Sequence, residues 1–418
     1  MSSEEETQLQ HLSEEDISQT LSSPSESNNL SLQESQNPRF SPCIYRCIAT
    51  LRGDSYVSSL AVDGDSLYAA SSDGHIRVWS LDMATADDSN NVHSSSAVAV
   101  TDSAVKCLVA AGDGLVSSHQ DGKIRVWHGD HRRNGGGRLS LRAALPTAAD
   151  CLRTFLFAKN YVEVRRHRKR TWVHHVDAVT ALALSPDGEH MYSVSWDRSL
   201  KAWRLRDLRC VESVAAAHDD AINAVAAATD GRVFTGSADG TVKAWRRHAD
   251  GQRRLALVGT MARHRSAVNA LAVAPAPGGA GAGRQVIVLY SGACDTTVVV
   301  WEGASGGGGD MAAAATLRGH GGAVLCLAAA GSVVCSGSAD RTVRVWRRGS
   351  PPAGGYTCLA VLDGHAGAVK SLAVVGKLGG DHHGGERCSC GGGCSAAIVC
   401  SGSLDCDVKI WRVSASCL

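Results

Sequence analysis

Histidine, a hydroxyl residue and aspartate recur together in this sequence, and these are the side chains of a Ser–His–Asp catalytic triad. In such a triad the hydroxyl is the nucleophile, the imidazole takes its proton and the carboxylate orients the imidazole. Five sets run in the same order, and each ends in tryptophan: His175, Ser193, Asp197, Trp203; His218, Thr235, Asp239, Trp245; His264, Ser291, Asp295, Trp301; His320, Ser336, Asp340, Trp346; and His365, Ser401, Asp405, Trp411. A catalytic site is single, whereas this set occurs five times. We therefore predict a structural role for these residues, with no enzyme activity and no cofactor.

The tryptophans mark a repeat that would position these side chains. Seven of the nine tryptophans have an aspartate six residues earlier, within nearly constant segments such as TGSADGTVKAW at 235–245 and SGSADRTVRVW at 336–346. Asp and Gly suit a tight turn, because Asp bonds nearby backbone and Gly tolerates positive φ. The residues after the turn alternate with period two, as a strand does. Each unit therefore contains a hairpin.

Two more strands complete each unit. Four residues after each of the five histidines begins an apolar run, such as AVTALALS or AINAVAAA, which predicts an inner strand. Another short segment lies between each tryptophan and the next histidine, such as YTCLAVLDGH at 356–365. One such unit cannot bury both of its faces alone, so neighbouring units must stack.

This repeat resembles the WD-repeat (WD40) family of β-propellers, and the resemblance covers residues 43–418. It implies an all-β, seven-bladed propeller with four antiparallel strands in each blade. It also implies that the five sets form buried hydrogen-bond chains, which satisfy polar groups and rigidify each blade. Blade one departs from the pattern, with Ala69 in the hydroxyl position and no histidine, and blade two has Ser117 but Thr101 where the histidine would fall. Both blades are expected to be softer.

The N-terminal segment is expected to close the ring. Seven residues follow Trp411, so the seventh unit lacks an outer strand of its own. The segment YRCIATLRG at 45–53 matches YTCLAVLDG at 356–364 in its Tyr, Cys, aliphatic residues and final Gly. We expect residues 44–51 to form the outer strand of the last blade, which removes an exposed sheet edge.

The first 42 residues differ in composition from the rest. They hold eight acids and one base, a net charge of −7 against +1 for the whole chain, so the remainder carries +8. This segment is rich in Ser, Glu and Gln and poor in large apolar residues, which predicts a disordered tail. Ser23 and Ser41 each precede a proline and are candidate phosphoacceptors. The mildly basic body favours acidic partners.

Three further features of the sequence indicate the cellular compartment of the protein. No stretch of 18 apolar residues predicts a membrane span, and the N-terminus lacks the pattern of a secretory signal. The 15 scattered cysteines suggest reduced thiols. We expect a monomeric propeller in the cytoplasm, the nucleus or both, which does not bind membranes.

An insertion at 130–172 lengthens the interval between the second and third repeated tryptophans to 76 residues. Within it, Thr147 and Asp150 predict an N-capped helix, which either packs on the propeller edge or docks a partner. The basic run at 165–170 is either a nuclear-import or nucleic-acid patch, or part of an outer strand with one solvated face. No aromatic residues interleave the run, which disfavours nucleic-acid binding.

The insertion also carries a narrower resemblance. The segments KNYVEVRRHRKR and MYSVSWDRSLKAW, followed by DLRCVES, are similar to a plant WD-repeat subfamily, the JINGUBANG-like proteins. That resemblance implies an intracellular regulatory adaptor without catalytic activity.

A segment near the C-terminus, DHHGGERCSCGGGC, contains residue types that bind zinc: His382, His383, Cys388, Cys390 and Cys394. Its C-x-C and C-x3-C spacings do not match a usual structural zinc site, and its glycines favour a flexible loop. We therefore predict no metal site.

The resemblance places partner binding on the top face around the central channel. This face is formed by the third and fifth residues after each histidine and by the residue before each turn aspartate. The large or polar residues at these positions are Tyr56, Lys106, Gln120, Thr180, Trp196, Asn223, Asn269 and Lys370. Trp196 stands out, because an exposed Trp on a rigid turn would anchor a partner. The alternative is that it packs against the neighbouring blade.

Three functions remain open at this point. The first is a non-enzymatic scaffold or regulatory adaptor that binds proteins or peptides. The second is a substrate receptor of a cullin-type ubiquitin ligase; such receptors usually show Trp-Asp-x-Arg after a blade, and the nearest segment, residues 203–206, lacks the Asp. The third is an RNA- or chromatin-associated propeller, whose binding would fall steeply with salt.

Overall fold

The computed structural model describes residues 44–81, 96–112, 114–129, 138–155, 161–165, 168–247, 254–275, 286–305, 311–349, 355–375 and 394–416. Strands in these ranges form seven four-stranded antiparallel sheets and one two-stranded hairpin. The tail predicted at 1–42 lies outside the described residues, as do His382, His383, Cys388 and Cys390.

Each four-stranded sheet is one blade, and the strands of a blade follow one another from the innermost outward. The first strand, β1 (Ile44–Arg52), belongs to the last blade. Blade 1 contains β2 (Val57–Asp63), β3 (Ser66–Ser71), β4 (His75–Ser80) and β5 (Ser96–Val100). Blade 2 contains β6 (Val105–Ala111), β7 (Gly114–His119), β8 (Ile124–Gly129) and β9 (Leu139–Leu145). The insertion then supplies α1 (Ala148–Phe155) and the hairpin strands β10 (Tyr161–Arg165) and β11 (Arg168–Thr171).

The remaining blades follow in chain order. Blade 3 contains β12 (Val179–Leu184), β13 (His190–Ser195), β14 (Leu200–Arg204) and β15 (Arg209–Val214). Blade 4 contains β16 (Ile222–Ala227), β17 (Arg232–Ser237), β18 (Thr241–Arg247) and β19 (Leu255–Ala262). Blade 5 contains β20 (Val268–Pro275), β21 (Val286–Ala293), β22 (Val298–Ala304) and β23 (Ala312–Leu317). Blade 6 contains β24 (Val324–Ala330), β25 (Val333–Ser338), β26 (Val343–Arg348) and β27 (Tyr356–Leu362). Blade 7 contains β28 (Val369–Val375), β29 (Cys394–Ser403), β30 (Asp407–Ser416) and β1.

The blades form a closed ring. The innermost strand of each blade contacts that of the next, and β28 of blade 7 contacts β2 of blade 1. The first strand, β1, pairs antiparallel with β30, from Ile44 opposite Ser414 to Arg52 opposite Asp407. The predicted seven-bladed propeller, closed by the N-terminal strand, is confirmed.

The hydrophobic core is divided among the seven interfaces between blades. Each interface holds one cluster of buried apolar residues drawn from two neighbouring blades. The cluster that joins blades 7 and 1, for example, contains Leu51, Leu60, Trp79 and Ile410. A single blade thus has no core of its own, and stability depends on stacking.

Two backbone features adapt the sheets to this stacking. The pairing of the third and outer strands has a register shift next to the repeat tryptophan in six blades, as between Val345 and Trp346, and such bulges increase strand twist. The glycine of the repeated SGS segment allows close packing. A Cβ at Gly402 would lie 2.5 Å from Val57 Cγ1 of the next blade, which explains why glycine stands there.

The insertion differs in part from the sequence prediction. Thr147 caps helix α1, because the Asp150 amide donates to Thr147 Oγ1 at 3.2 Å and the Thr147 hydroxyl donates to the Asp150 carboxylate at 2.9 Å. The interpretation of 165–170 as part of an outer strand was wrong. The outer position of blade 2 is filled by β9, which pairs with β8 from Leu145 to Leu139. Arg165 and residues 168–170 lie instead in the separate β10–β11 pair. Among the described residues, no helix has the length and apolarity needed to cross a membrane.

Candidate functional site

The five predicted His–Ser/Thr–Asp–Trp sets are each assembled by one blade. The histidine precedes the inner strand, the hydroxyl residue lies in the second strand, the aspartate in the following turn and the tryptophan in the third strand. In every set the imidazole Nε2 is 2.7 or 2.8 Å from the hydroxyl oxygen. The indole N–H donates to the same oxygen at 2.8 Å. Because that oxygen accepts from the indole, its own proton is directed to Nε2, which leaves Nδ1 as the protonated nitrogen.

The protonated Nδ1 in turn faces the aspartate. In blades 4 to 7 the distance from Nδ1 to the carboxylate Oδ2 is 2.8–3.0 Å. Blade 3 differs, because Ser199 Oγ lies 2.9 Å from His175 Nδ1 and the Asp197 oxygen is 3.4 Å away. The hydroxyl groups of all five sets belong to fully buried residues, so they do not face solvent.

The carboxylates of these chains are held in the charged form. Burial acts to raise the pKa of Asp340, but hydrogen bonds from His320 and Thr342 outweigh it, and the pKa lies well below its usual range. The same balance, with the hydrogen bond from His365, lowers the pKa of Asp405. Each carboxylate also accepts a backbone N–H from the residue after the histidine, as from Gly321 at 2.9 Å. This chain of hydrogen bonds therefore fixes the turn to the start of the inner strand.

Blade 2 has a histidine in its polar chain, which corrects the expectation based on Thr101. His119 is fully buried at the end of β7, and its Nε2 lies 2.7 Å from Ser117 Oγ, which accepts the Trp127 indole N–H at 2.7 Å. Its Nδ1 is 3.2 Å from the carbonyl oxygen of Ser103. The signal in the sequence is the histidine of SSHQD at 117–121, where blade 6 reads SGSAD. This histidine lies in the second strand, whereas the histidines of blades 3 to 7 precede the inner strand.

We expect stability to depend on pH through His119. Burial lowers the pKa of this imidazole to about 4, below the unfolded value of about 6.5. Its stabilising contribution is fully present above pH 6.5 and is lost as the pH falls towards 4, by about 3 kcal/mol. His119→Gln should reduce that loss between pH 7 and 4.5, measured by urea unfolding at several pH values. Parallel pH profiles for the two proteins would contradict this assignment.

Blade 1 replaces the histidine with a buried arginine. Arg77 donates from Nη1 to Ser71 Oγ at 3.1 Å and from Nη2 to Asp54 Oδ2 at 2.8 Å. The Ser71 hydroxyl donates to Asp73 at 2.5 Å. Where Ala69 substitutes for the hydroxyl residue, a small cavity remains against Cys406 of blade 7. Blade 1 therefore connects the end of its second strand to the segment before its inner strand through a cation rather than an imidazole.

The predicted rim residues all lie at one end of the blades. In every blade, the amide of the residue before the turn Asp position donates to the carbonyl of the residue just before the inner strand, at 2.8–3.2 Å. The donors are Ser72, Gln120, Trp196, Ala238, Cys294, Ala339 and Leu404, and the acceptors are Tyr56, Ala104, Ala178, Ala221, Ala267, Ala323 and Ala368. These seven equivalent bonds fix one rim, and among the acceptors a tyrosine stands only in blade 1.

Along part of this rim, side-chain contacts run without interruption from blade 2 to blade 5. The Lys106 ammonium lies 5.2 Å above the Trp196 ring, and the Trp196 indole N–H donates to Asn223 Oδ1 at 3.2 Å. The Asn223 amide in turn donates to the carbonyl of Val268 at 3.1 Å. Of the two alternatives for Trp196, the structure supports packing, because the side chain is partly buried and contacts Lys106 and Asn223 of the two neighbouring blades. These contacts fix the rim between blades 2 and 5, and they leave part of the Trp196 ring accessible.

The other predicted rim residues divide by exposure. Thr180 and Asn269 are partly buried and donate to the inner strand of the next blade, at 2.6 Å to the Ile222 carbonyl and 3.0 Å to the Val324 carbonyl. Tyr56, Gln120 and Lys370 are exposed, and Tyr56 has 52% of its surface accessible. The rim thus combines a fixed polar framework with three side chains that project from it.

One group of possible metal ligands occurs within the described ranges. Asp187, Glu189 and His190 in the β12–β13 turn place their ligand atoms within 4.8 Å of one another. Asp187 and Glu189 are exposed, and the Asp187 carboxylate already accepts the Ser185 hydroxyl and the Glu189 amide. Cys394, from the predicted Cys/His loop, lies in strand β29.

Comparison with known proteins gives a consistent family match. The profile of the WD40 family, described as "WD domain, G-beta repeat", matches residues 45–80, 166–204, 209–246, 313–347 and 356–412. The structure is similar to the crystal structure of the WD40 β-propeller domain of Doa1, with a TM-score of 0.57, over 88% of this chain and 96% of that chain. The two sequences are 19% identical, so this likeness concerns the fold alone.

Sequence relatives match over short segments. Human Striatin-4 is 46% identical over 57 residues, which are 13% of this chain and 8% of that protein. An uncharacterized WD repeat-containing protein of Schizosaccharomyces pombe is 35% identical over 75 residues, which are 18% of this chain and 14% of that protein. The chain thus spans less than a fifth of the length of the relatives it matches.

Proposed function

We propose that this chain, which belongs to the WD40 repeat family, is a non-enzymatic scaffold and regulatory adaptor that binds proteins or peptides at its rim. The observation that most supports this proposal is the projection of Tyr56, Gln120 and Lys370 from a rim fixed by seven equivalent backbone bonds. Aromatic side chains held on a rigid frame bind partners with little loss of conformational entropy, which is typical of interface anchors.

We further propose the finer assignments that the sequence favours. The chain is proposed as a member of the JINGUBANG-like plant subfamily, acting as a monomer in the cytoplasm, the nucleus or both. The support for this assignment is the insertion sequence at 158–170 and the neighbouring segment at 191–203. We propose residues 1–42 as an acidic, disordered tail and residues 43–418 as the propeller domain.

The rim is tested by proximity labelling in cells. We expect the double substitution Tyr56→Ser and Lys370→Ser to reduce labelling of the specific partners at least fivefold, while the melting temperature stays unchanged. A matched control is available on the outer strand β9, where Leu141 is also 52% exposed and Arg142 is exposed. Leu141→Ser with Arg142→Ser should leave the labelled set intact. Equal labelling by both double variants and the wild type would refute rim binding.

A further inference from the structure

A cavity of about 140 Å³ lies on blade 5, beside the segment that links this blade to blade 4. Three arginines line it: Arg263 and Arg265 flank His264 between β19 and β20, and Arg318 follows β23. Thr316, Thr297 and Asp295 also lie in its wall. Because Asp295 belongs to the turn at the rim, the cavity opens at the same end of the propeller as the predicted partner-binding residues.

The cavity has a strong excess of positive charge. Asp295 is fully engaged, since it accepts from the His264 ring, the Arg265 amide, the Thr297 amide and the Thr297 hydroxyl at 2.7–3.1 Å. Within the part of the chain that the structure describes, none of the three guanidinium groups lies within 4.0 Å of a carboxylate. Three exposed cations therefore face one shared space with a single internal counter-charge.

The fold does not require arginine at these three positions. The residues equivalent to Arg263, Arg265 and Arg318 are Ala217, Asp219 and Ala262 in blade 4, and Gly319, Gly321 and Asp363 in blade 6. Blades 4 and 6 thus form the same polar chain and the same rim with neutral or acidic side chains, and blade 7 has an arginine, Arg52, at the third position only. Arginine at all three positions is specific to blade 5, which points to a ligand rather than to stability.

We propose that this cavity binds the phosphate group of a phosphoserine or phosphothreonine in a partner peptide. Guanidinium groups form paired, charge-assisted hydrogen bonds with phosphate oxygens, and the Thr316 side chain lies in the same wall. The volume is below the roughly 300–1,000 Å³ of small-molecule pockets, so it suits one phosphoryl group rather than a nucleotide. The cations also converge on one space, whereas single-stranded nucleic acid is bound along an extended basic groove.

This inference rests on the proposed scaffold function, and it identifies the chemistry of one class of partner. The probe is a fluorescein-labelled pool of degenerate nonapeptides with a central phosphoserine, titrated against the full chain by fluorescence polarisation. The same pool with unmodified serine is the reference, and inorganic phosphate is the competitor. The test variant is Arg263→Gln with Arg318→Gln. The charge-matched control is Arg46→Gln with Arg412→Gln, two exposed arginines of blade 7.

We expect the test variant to bind the phosphoserine pool about 100-fold more weakly, since each lost charge-assisted bond contributes roughly tenfold. The control should bind within twofold of wild type, and the serine pool should bind at least tenfold more weakly. Equal losses in both variants, or equal binding of both pools, would overturn the inference. The inference would also be overturned if inorganic phosphate alone, at millimolar concentration, displaced the labelled peptides as effectively as the phosphopeptide does. Absence of phosphopeptide binding with intact Tyr56-dependent labelling would refute this site alone and leave the scaffold function standing.

Discussion

Deletion of residues 43–52 is expected to abolish the cooperative unfolding of the propeller. The deletion removes β1, exposes the edge of β30 and opens the apolar interface between blades 7 and 1. Leu51 in this strand is 3% exposed, and losing such a side chain alone costs about 2–5 kcal/mol. With about 1 kcal/mol for each strand hydrogen bond, the total reaches the order of 5–10 kcal/mol, comparable with the whole stability of a domain.

The measurement is urea unfolding, followed both by circular dichroism and by tryptophan fluorescence. The wild type should give one shared transition, and the truncated protein should give a broad, early and non-coincident one. Deletion of residues 1–42, which precede the strand, is the matched control and should leave the transition where it is. A protein without 43–52 that unfolds in one shared transition at the wild-type urea concentration would refute the closing role of β1.

Arg232→Met is expected to cost about 3–5 kcal/mol, the typical loss when one partner of a buried ion pair is removed. The Arg232 side chain is 0% exposed, and its Nε lies 2.7 Å from Oδ2 of the buried Asp230. Its Nη2 also donates to the Ala304 carbonyl of blade 5 at 3.2 Å. The substitution would strand a buried carboxylate and remove a bond between two blades.

A neighbouring arginine provides the control for this prediction. Arg246 Nη2 lies 3.7 Å from the same Asp230 oxygen, but its side chain is 26% exposed, so Arg246→Met should cost under about 1 kcal/mol. Adding Asp230→Asn to Arg232→Met should recover part of the loss, because it removes the unpaired charge. Equal free energies of unfolding for the two arginine variants would show that burial does not determine how much the Arg232–Asp230 pair contributes to stability.

The ring could be predicted from the sequence because its signals are local and repeated. A turn aspartate, a tryptophan six residues later and strands of period two specify a blade within about forty residues, and seven copies imply closure. The pairing of β1 with β30 could also be predicted, because the segment 45–53 resembles the outer-strand segment 356–364 and the last unit lacks an outer strand of its own. Contacts between blades carry no such local signature.

The features that the sequence did not reveal depend on those contacts. Trp196 has the pattern of an exposed anchor, and its partial burial comes from Lys106 and Asn223 in other blades. Arg232 begins an ordinary strand, and its burial depends on residues of blade 5 more than seventy positions away. His119 was missed for a different reason. The Ser117 hydroxyl is hydrogen-bonded to His119 in its own strand, whereas in the other five sets the histidine precedes the inner strand. A search for histidines at that upstream spacing therefore does not find His119.

The most direct test of the closed ring is a cross-link between the first and last strands. Thr50 and Lys409 are opposite each other in the β1–β30 pair, with Lys409 Nζ 3.3 Å from Thr50 Oγ1. If both are replaced by cysteine in a Cys47→Ser background, which removes the native thiol 3.7 Å from Thr50 Oγ1, and the protein is oxidised, we predict that mass spectrometry finds the peptides containing positions 50 and 409 joined by a disulfide in folded monomer. A folded monomer in which position 50 is joined elsewhere or remains a free thiol would contradict a ring of seven blades closed by its own first strand.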